Sequence, residues 1–104
     1  MIVDKAGKKG TGRWTVMSRA ENEVVDSTIN AAVEARILSS KKDERLAAAP
    51  VLQGPDVAIT MDKEELIQKV HDALYASKVI SYAQGLDLIQ EVSQVHDWGV
   101  NLGS

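Results

Sequence analysis

The chain has 104 residues, of which 44% are hydrophobic and 26% charged, a composition typical of one folded domain and not of a disordered segment. A formal net charge of −3 argues against general nucleic-acid binding, which relies on a broad basic face. The absence of cysteine excludes a disulfide framework and a thiolate site. No apolar leader follows Met1 and no apolar run reaches the roughly 18 residues of a membrane span, so we expect a cytoplasmic protein without a membrane partner.

The first distinctive stretch is residues 7–15, where three glycines, three cations and two threonines occur within nine residues. Glycine lets backbone N–H groups approach an oxyanion closely, and lysine and threonine side chains can donate to the same oxygens. The stretch therefore suggests an anion site on a basic N-terminal loop, which we place at residues 1–13. From spacing alone a solvated basic turn is the simpler interpretation, because neither G-x-x-x-x-G-K-[ST] nor G-x-G-x-x-G is present.

Residues 14–46 are expected to be helical, beginning with a short helix from Trp14 to about Asn22. The Thr15 side chain is a candidate N-cap, because its hydroxyl can accept from backbone N–H groups of the first turn. Residues 18–23 are mostly polar and show no clear apolar stripe. The prediction of this helix therefore depends on its cap more than on amphipathic character.

A longer second helix is predicted from Ser27 to about Arg45, with Ser27 or Asp26 as its cap. Helical spacing puts five of its residues on one face: Ile29, Ala32, Val33, Arg36 and Ile37. On an apolar face the Arg36 guanidinium must reach solvent along its stem, pair with a carboxylate of the chain, or bind an anion. Spacing alone favours the first two. Residues 41–45 are expected to form a solvated helix end.

Residues 47–61 are predicted to be a connector within one domain. Pro50 and the Gln-Gly-Pro-Asp run at 53–56 both interrupt helical structure. Asp62 followed three residues later by Glu65 resembles a capping box, so a new helix is expected to begin there.

That last helix is predicted to be long, covering residues 62–98, with Gly99 as a stop signal. A helix of this length spans roughly 50 Å. A compact domain of 104 residues has a diameter of only about 26 Å, so part of the helix must extend beyond its own domain. We therefore expect a second chain to cover it, in a homodimer or larger oligomer.

The sequence contains no self-contained catalytic or metal-binding pattern. His71 and His96 lie far apart, no cysteine accompanies them, and H-E-x-x-H spacing is absent, so no metal site is predicted. A nucleophile signature such as G-x-S-x-G is also missing.

Four runs of the chain nevertheless resemble 6-phosphogluconate dehydrogenase, in the right order and spacing: 2–15, 34–40, 42–45 and 73–85. In that family these runs belong to the all-helical C-terminal domain. The resemblance therefore implies an all-α fold in which a basic loop, a short helix, a medium helix, a connector and a long helix form a single partial domain over 1–104. It also implies kinship with a homodimeric enzyme that uses NADP to oxidise and decarboxylate 6-phosphogluconate in the pentose phosphate pathway.

The resemblance assigns three residues to the substrate phosphate. The family's K-G-T-G run matches Lys9 and Thr11, and the arginine of its A-R-x-x-S-S run matches Arg36. In the family these three side chains help to hold the phosphate. The resemblance makes phosphate contact the preferred interpretation of all three positions. It also implies that the substrate phosphate is the anion that Arg36 binds.

The family's catalytic and cofactor residues have no counterparts here. The G-x-G-x-x-G nucleotide domain and the catalytic lysine and glutamate precede the loop in the full enzyme, and residues 21–26 and Glu34 depart from the family's pattern. We therefore assign no catalytic, cofactor-binding or metal residue. The chain is expected to be a fragment or relative that keeps part of the phosphate site and is inactive alone, binding no NADP by itself. The alternative is a helical module for self-association or partner binding. Whether a nucleotide-binding half is supplied in trans stays open.

Overall fold

The computed structural model describes residues 4–7, 9–55, 58 and 60–103, and these residues form helices and no strand. The all-α fold class is therefore confirmed. Residues 1–3 and 8 of the predicted loop, and 56, 57 and 59 of the predicted connector, lie outside the described residues. The four helices are α1 (Thr11–Glu21), α2 (Ser27–Ser40), α3 (Lys42–Ala48) and α4 (Lys63–Val95).

Helix α1 begins earlier than the sequence pattern predicts. Gly10 is its N-cap, with a φ of 99° that an L side chain would strain, and the Trp14 N–H donates to the Gly10 carbonyl at 3.1 Å. The prediction that Thr15 caps the helix is wrong. Its hydroxyl donates to the Thr11 carbonyl at 3.0 Å, one turn back inside the helix. The glycine therefore lets the chain enter the helix three residues sooner than predicted.

The predicted second helix is divided into α2 and α3 at Lys41, whose φ of −87° and ψ of 48° are not helical. The Ser40 hydroxyl donates to the Ile37 carbonyl at 2.6 Å and so competes for an acceptor of the last turn of α2. The chain resumes at once, with the Arg45 N–H donating to the Lys41 carbonyl at 3.0 Å. The break changes the direction in which residues 42–48 point.

Helix α4 starts where the sequence predicts, and Asp62 is confirmed as its cap. The Asp62 carboxylate accepts from the backbone N–H groups of Glu64 at 3.0 Å and Glu65 at 3.4 Å. The helix ends at Val95, three residues before the predicted end. Asp97, not Gly99, takes the left-handed position that closes it, with a φ of 54°.

Helix α4 is about 50 Å long, which accounts for the 53 Å long axis of the chain. Its C-terminal half packs against α2, whereas every side chain from Ile67 to Ile80 is exposed. Among the described residues only Val24, Asp26 and Ser93 are buried. The radius of gyration is 18.2 Å, compared with about 13 Å for a compact domain of this length. The helices thus form an open arrangement with a very small core.

Candidate functional site

The N-terminal loop lies along the C-terminal half of α2. The Ala6 N–H donates to Ser39 Oγ at 3.0 Å. At the far end, Gly12 approaches Val33 so closely that a Cβ on Gly12 would stand 2.8 Å from Val33 Cγ2. The chain from Ala6 to Gly12 therefore runs antiparallel to α2. The two contacts are six residues apart along each segment. Glycine at position 12 is what permits the second approach.

Arg36 lies midway between these two points on α2, three residues from Val33 and three from Ser39. Residues at this spacing follow one row along a helix surface. Lys9 is likewise midway along the loop, three residues and so at most about 11 Å of chain from either Ala6 or Gly12. The two contacts thus place Lys9 and Arg36 in the same region of the surface.

Thr11, the third residue that the resemblance assigns to phosphate, is the first residue of α1 and adjoins Gly12. The side chains of Lys9, Thr11 and Arg36 are all exposed. Within the described residues neither Lys9 nor Arg36 forms a hydrogen bond or an ion pair. Both cations can therefore accept an anionic partner without breaking an existing contact.

The exposure of Arg36 fits the interpretation in which its guanidinium reaches solvent, and the predicted apolar face of α2 is covered only in part. Ile29 and Val33 provide the packed side of α2 and are half-buried, whereas Ala32, Arg36 and Ile37 are exposed. Helical spacing identified a common face but could not show which part of it a neighbour covers. Among the described residues no carboxylate pairs with Arg36.

The start of α1 adds a source of positive potential that the sequence pattern did not reveal. Gly10 has no side chain to cap the helix, and the first turn contains no acidic residue. The first N–H groups of a helix carry a partial positive charge and bind anions readily. By contrast, the N-terminus of α4 is compensated by Asp62, Glu64 and Glu65. The glycines around Thr11 favour a loop in the sequence, so the sequence does not predict this helix end.

The Trp14 indole lies beside Gly10, the N-cap of α1. Two atoms of its indole ring, Cζ2 and Cε2, are 3.8 and 3.9 Å from the position that a Cβ on Gly10 would occupy. The ring is 65% exposed. Because the indole lies close to Gly10, its fluorescence can report ligand binding at the start of α1.

An ion pair holds the beginning of the loop. Arg45, from α3, donates through Nη2 to Asp4 Oδ1 at 3.1 Å and through Nη1 to Asp4 Oδ2 at 3.3 Å. Nη2 also donates to the backbone carbonyls of Asp4 and Ser39, both at 3.2 Å. The hydrogen bond and charge of Arg45 lower the pKa of the Asp4 carboxyl below its ordinary value. The expectation that residues 41–45 form only a solvated helix end is therefore wrong at Arg45.

The other end of α2 is anchored by α4. Gln84 Oε1 accepts from the backbone N–H groups of Thr28 at 3.1 Å and Ile29 at 3.4 Å, and Gln84 Nε2 donates to Ser27 Oγ at 3.1 Å. This amide does what a side-chain N-cap does, so the predicted capping by Ser27 or Asp26 is not observed.

Asp26 instead turns toward α1, where its Oδ1 lies 2.8 Å from Arg19 Nε. The N–H of Arg19 is not aligned with that oxygen, so the contact is an ion pair without a hydrogen bond. Asp26 is 2% exposed, and its ion pair therefore lies at the joint between α1 and α2. Together, Asp26 and Gln84 fix the helix that carries Arg36.

The described part of the chain contains neither a metal-binding cluster nor a membrane-spanning helix. No three histidine or acidic side chains in it come together in a way that could hold a metal ion. None of the helices it contains combines the length and the apolar character needed to cross a bilayer.

Comparison with known proteins decides the family. Residues 1–104 match the family model described as 6-phosphogluconate dehydrogenase, C-terminal domain. The chain belongs to this family. It is 53% identical over 104 residues to the decarboxylating 6-phosphogluconate dehydrogenase of Synechococcus elongatus, a match that covers 99% of this chain and 22% of that protein.

Other members give the same result. The enzyme of the same name from Synechocystis is 55% identical over 101 residues, covering 97% of this chain and 21% of that protein. A rice 6-phosphogluconate dehydrogenase is 48% identical over 103 residues, covering 98% of this chain and 22% of that protein. The chain thus spans about a fifth of the length of these relatives. The family resemblance inferred from the four runs is confirmed.

Proposed function

We propose that this member of the 6-phosphogluconate dehydrogenase C-terminal family contributes part of a substrate-phosphate site, formed by Lys9, Thr11 and Arg36. The observation that supports this most strongly is the pairing of the loop with α2 on both sides of Arg36. In this proposal the pairing would bring two cations and a hydroxyl close to the N-terminus of α1, which no acidic residue of the first turn compensates.

Each group suits a phosphate monoester in a different way. Lys9 supplies a flexible point charge, and the planar Arg36 guanidinium can donate two parallel hydrogen bonds to two phosphate oxygens. The Thr11 hydroxyl and the first N–H groups of α1 are short, directional donors. Charge-assisted bonds of this kind contribute roughly 1.5–3 kcal/mol each when removed from water. The ligand we propose is 6-phosphogluconate, the substrate after which the related enzymes are named.

The chemical step is assigned to residues outside this chain. Oxidation of the sugar requires a nicotinamide cofactor, and the sequence contains no G-x-G-x-x-G nucleotide motif. In this proposal NADP is bound by another part of a longer polypeptide or by a second protein, and the 104-residue chain does not turn substrate over alone. Its role within the pentose phosphate pathway, in the cytoplasm, is to hold the phosphate end of the substrate in place.

A second role, in assembly, is favoured by the uncovered part of α4. Many large apolar side chains of this helix are exposed: Ile67, Val70, Leu74, Tyr75, Val79, Ile80, Tyr82, Leu86 and Ile89. A surface of this kind is typical of an interface. We propose that a second copy of the chain covers it in a homodimer. A light-scattering mass equal to the monomer at micromolar concentration would contradict this.

Ligand titration tests the phosphate site. We expect 6-phosphogluconate to change Trp14 fluorescence in a Trp98→Phe background and to release heat on binding. Lys9→Ala and Arg36→Ala should each weaken binding about tenfold to a hundredfold, in line with the loss of one charge-assisted contact. Lys69→Ala, which removes an exposed α4 cation paired with Glu65, should have no effect. Absence of binding at millimolar ligand would end the proposal, and NADP turnover by the purified chain would refute its inactivity.

A further inference from the structure

The ion pair between Asp4 and Arg45 joins three segments that are distant in sequence. Arg45 belongs to α3, Asp4 to the loop, and the Ser39 carbonyl, which also accepts from Arg45, to the last turn of α2. Arg45 can reach the other two because the chain turns at Lys41. A continuous helix through this point would direct residue 45 elsewhere. The break in the helix is therefore what brings the guanidinium to the loop.

Arg45 and Ser39 together hold the first part of the loop by its backbone as well as by a side chain. The Ser39 hydroxyl accepts from the Ala6 N–H, and Arg45 donates to the Asp4 carbonyl and to both carboxylate oxygens. Gly12, in the first turn of α1 directly after the loop, closely approaches Val33, so a contact with α2 lies on each side of the loop. The segment between these contacts contains Lys9.

The ion pair also sets the charge of the loop. Asp4 is the one acidic residue among residues 4–10, and Arg45 neutralises it. Lys9 and Arg36 then face solvent without a competing carboxylate from the loop itself. A released Asp4 would be free to pair with either cation.

We propose that Asp4 and Arg45 are positioning residues of the phosphate site, which fix the loop so that Lys9 and Thr11 stand beside Arg36 and which do not touch the anion. This inference depends on the proposed function for its ligand, but its geometric part can be measured without one.

The first test uses no ligand. In Asp4→Asn we expect the backbone amides of Lys9 and Gly10 to lose order in ¹⁵N relaxation, because the charge-assisted bonds to Arg45 are removed. The matched control is Glu44→Gln, which breaks the exposed Lys41–Glu44 pair on the same helix as Arg45 and should leave the loop unchanged. Unchanged order in Asp4→Asn overturns the proposal.

The second test measures phosphate affinity as a double-mutant cycle. Asp4→Asn should weaken binding of 6-phosphogluconate and of inorganic phosphate about threefold to tenfold. In the Asp4→Asn background, Lys9→Ala should reduce the affinity for these ligands less than it does in the parent, because a released loop no longer holds Lys9 beside the anion. A purely structural role would give additive effects, and additive effects overturn the proposal. Arg45→Lys keeps the charge but not the bonds to two carbonyls and a carboxylate, so it should resemble Asp4→Asn.

The two proposals fail in different ways. If the parent chain binds neither ligand, the phosphate function is refuted, and the relaxation data alone decide whether Asp4 and Arg45 position the loop. If circular dichroism shows lost helix content in Arg45→Lys, Asp4→Asn decides, because its substitution lies outside all helices.

Discussion

Replacing Gln84 should loosen the start of α2, although Gln84 belongs to α4 and is distant from α2 in sequence. The amide of this α4 side chain accepts from the N–H groups of Thr28 and Ile29 and donates to Ser27 Oγ. No side chain of α2 or its flanking residues substitutes for it, since Asp26 is engaged by Arg19. Loss of an N-cap costs about 1 kcal/mol, within a range of about 0.5–2.

Hydrogen exchange at Thr28 and Ile29 measures this directly. We expect Gln84→Met, which keeps the size and packing of the side chain but not its acceptor, to speed exchange of both amides about fivefold to thirtyfold. Gln84→Glu retains the acceptor and places a negative charge at a helix N-terminus, so it should stay close to the parent.

The comparison between the two variants distinguishes the effect of the Gln84 hydrogen bonds from the effect of side-chain packing. Equal exchange in the parent and Gln84→Met would show that water caps α2 as well as the amide does. Equal acceleration by methionine and glutamate would show that packing, and not the hydrogen bonds, determines the protection.

Three other predictions concern the backbone and the loop. Gly12→Ala should destabilise the chain by about 1–3 kcal/mol in urea unfolding, because the new Cβ would stand 2.8 Å from Cγ2 of the stiff, β-branched Val33. Gly85→Ala, in open space within α4, should instead stabilise the chain by about 1 kcal/mol. Equal shifts in the two variants would contradict this. Glu23→Gly should raise the unfolding midpoint, because φ is 56° at this position; a lower midpoint would count against strain. The Arg45 guanidinium lowers the pKa of Asp4 in the folded chain, so the stability that this ion pair contributes is present above the unfolded pKa and is lost as pH falls through the folded pKa. An NMR titration of the carboxyl should show the lowered midpoint. The loop should loosen in acid in the parent, and Asp4→Asn should remove this pH dependence.

The parts of the fold that could be predicted are those determined by neighbours in sequence. Asp62 caps α4 through N–H groups two and three residues away, so a short motif contains all the information needed. Gln84 and Thr28 are 56 residues apart, and Arg45 and Asp4 are 41 apart. No periodicity relates such pairs, since they meet only after the helices have packed.

The same distinction applies to the candidate site. Composition indicated an anion-binding stretch around Lys9, but only the family resemblance singled out Thr11 and Arg36. Helical spacing predicted a face for Arg36 and could not show that the face is open on this side of α2. The sequence does not predict the start of α1 at Thr11. A glycine that begins a helix at positive φ cannot be told from a glycine in a loop by the residues around it.

The exposed half of α4 has a thermodynamic consequence for every assay of this chain. With so little apolar surface buried within one copy, an association that covers α4 would provide much of the folding free energy, and stability would then rise with protein concentration by mass action. Because α2 is capped from α4, the region around Arg36 would share in that dependence. Binding and association would be reciprocally linked. Phosphate affinity should accordingly be measured across a series of chain concentrations, and the ligand should in turn promote assembly.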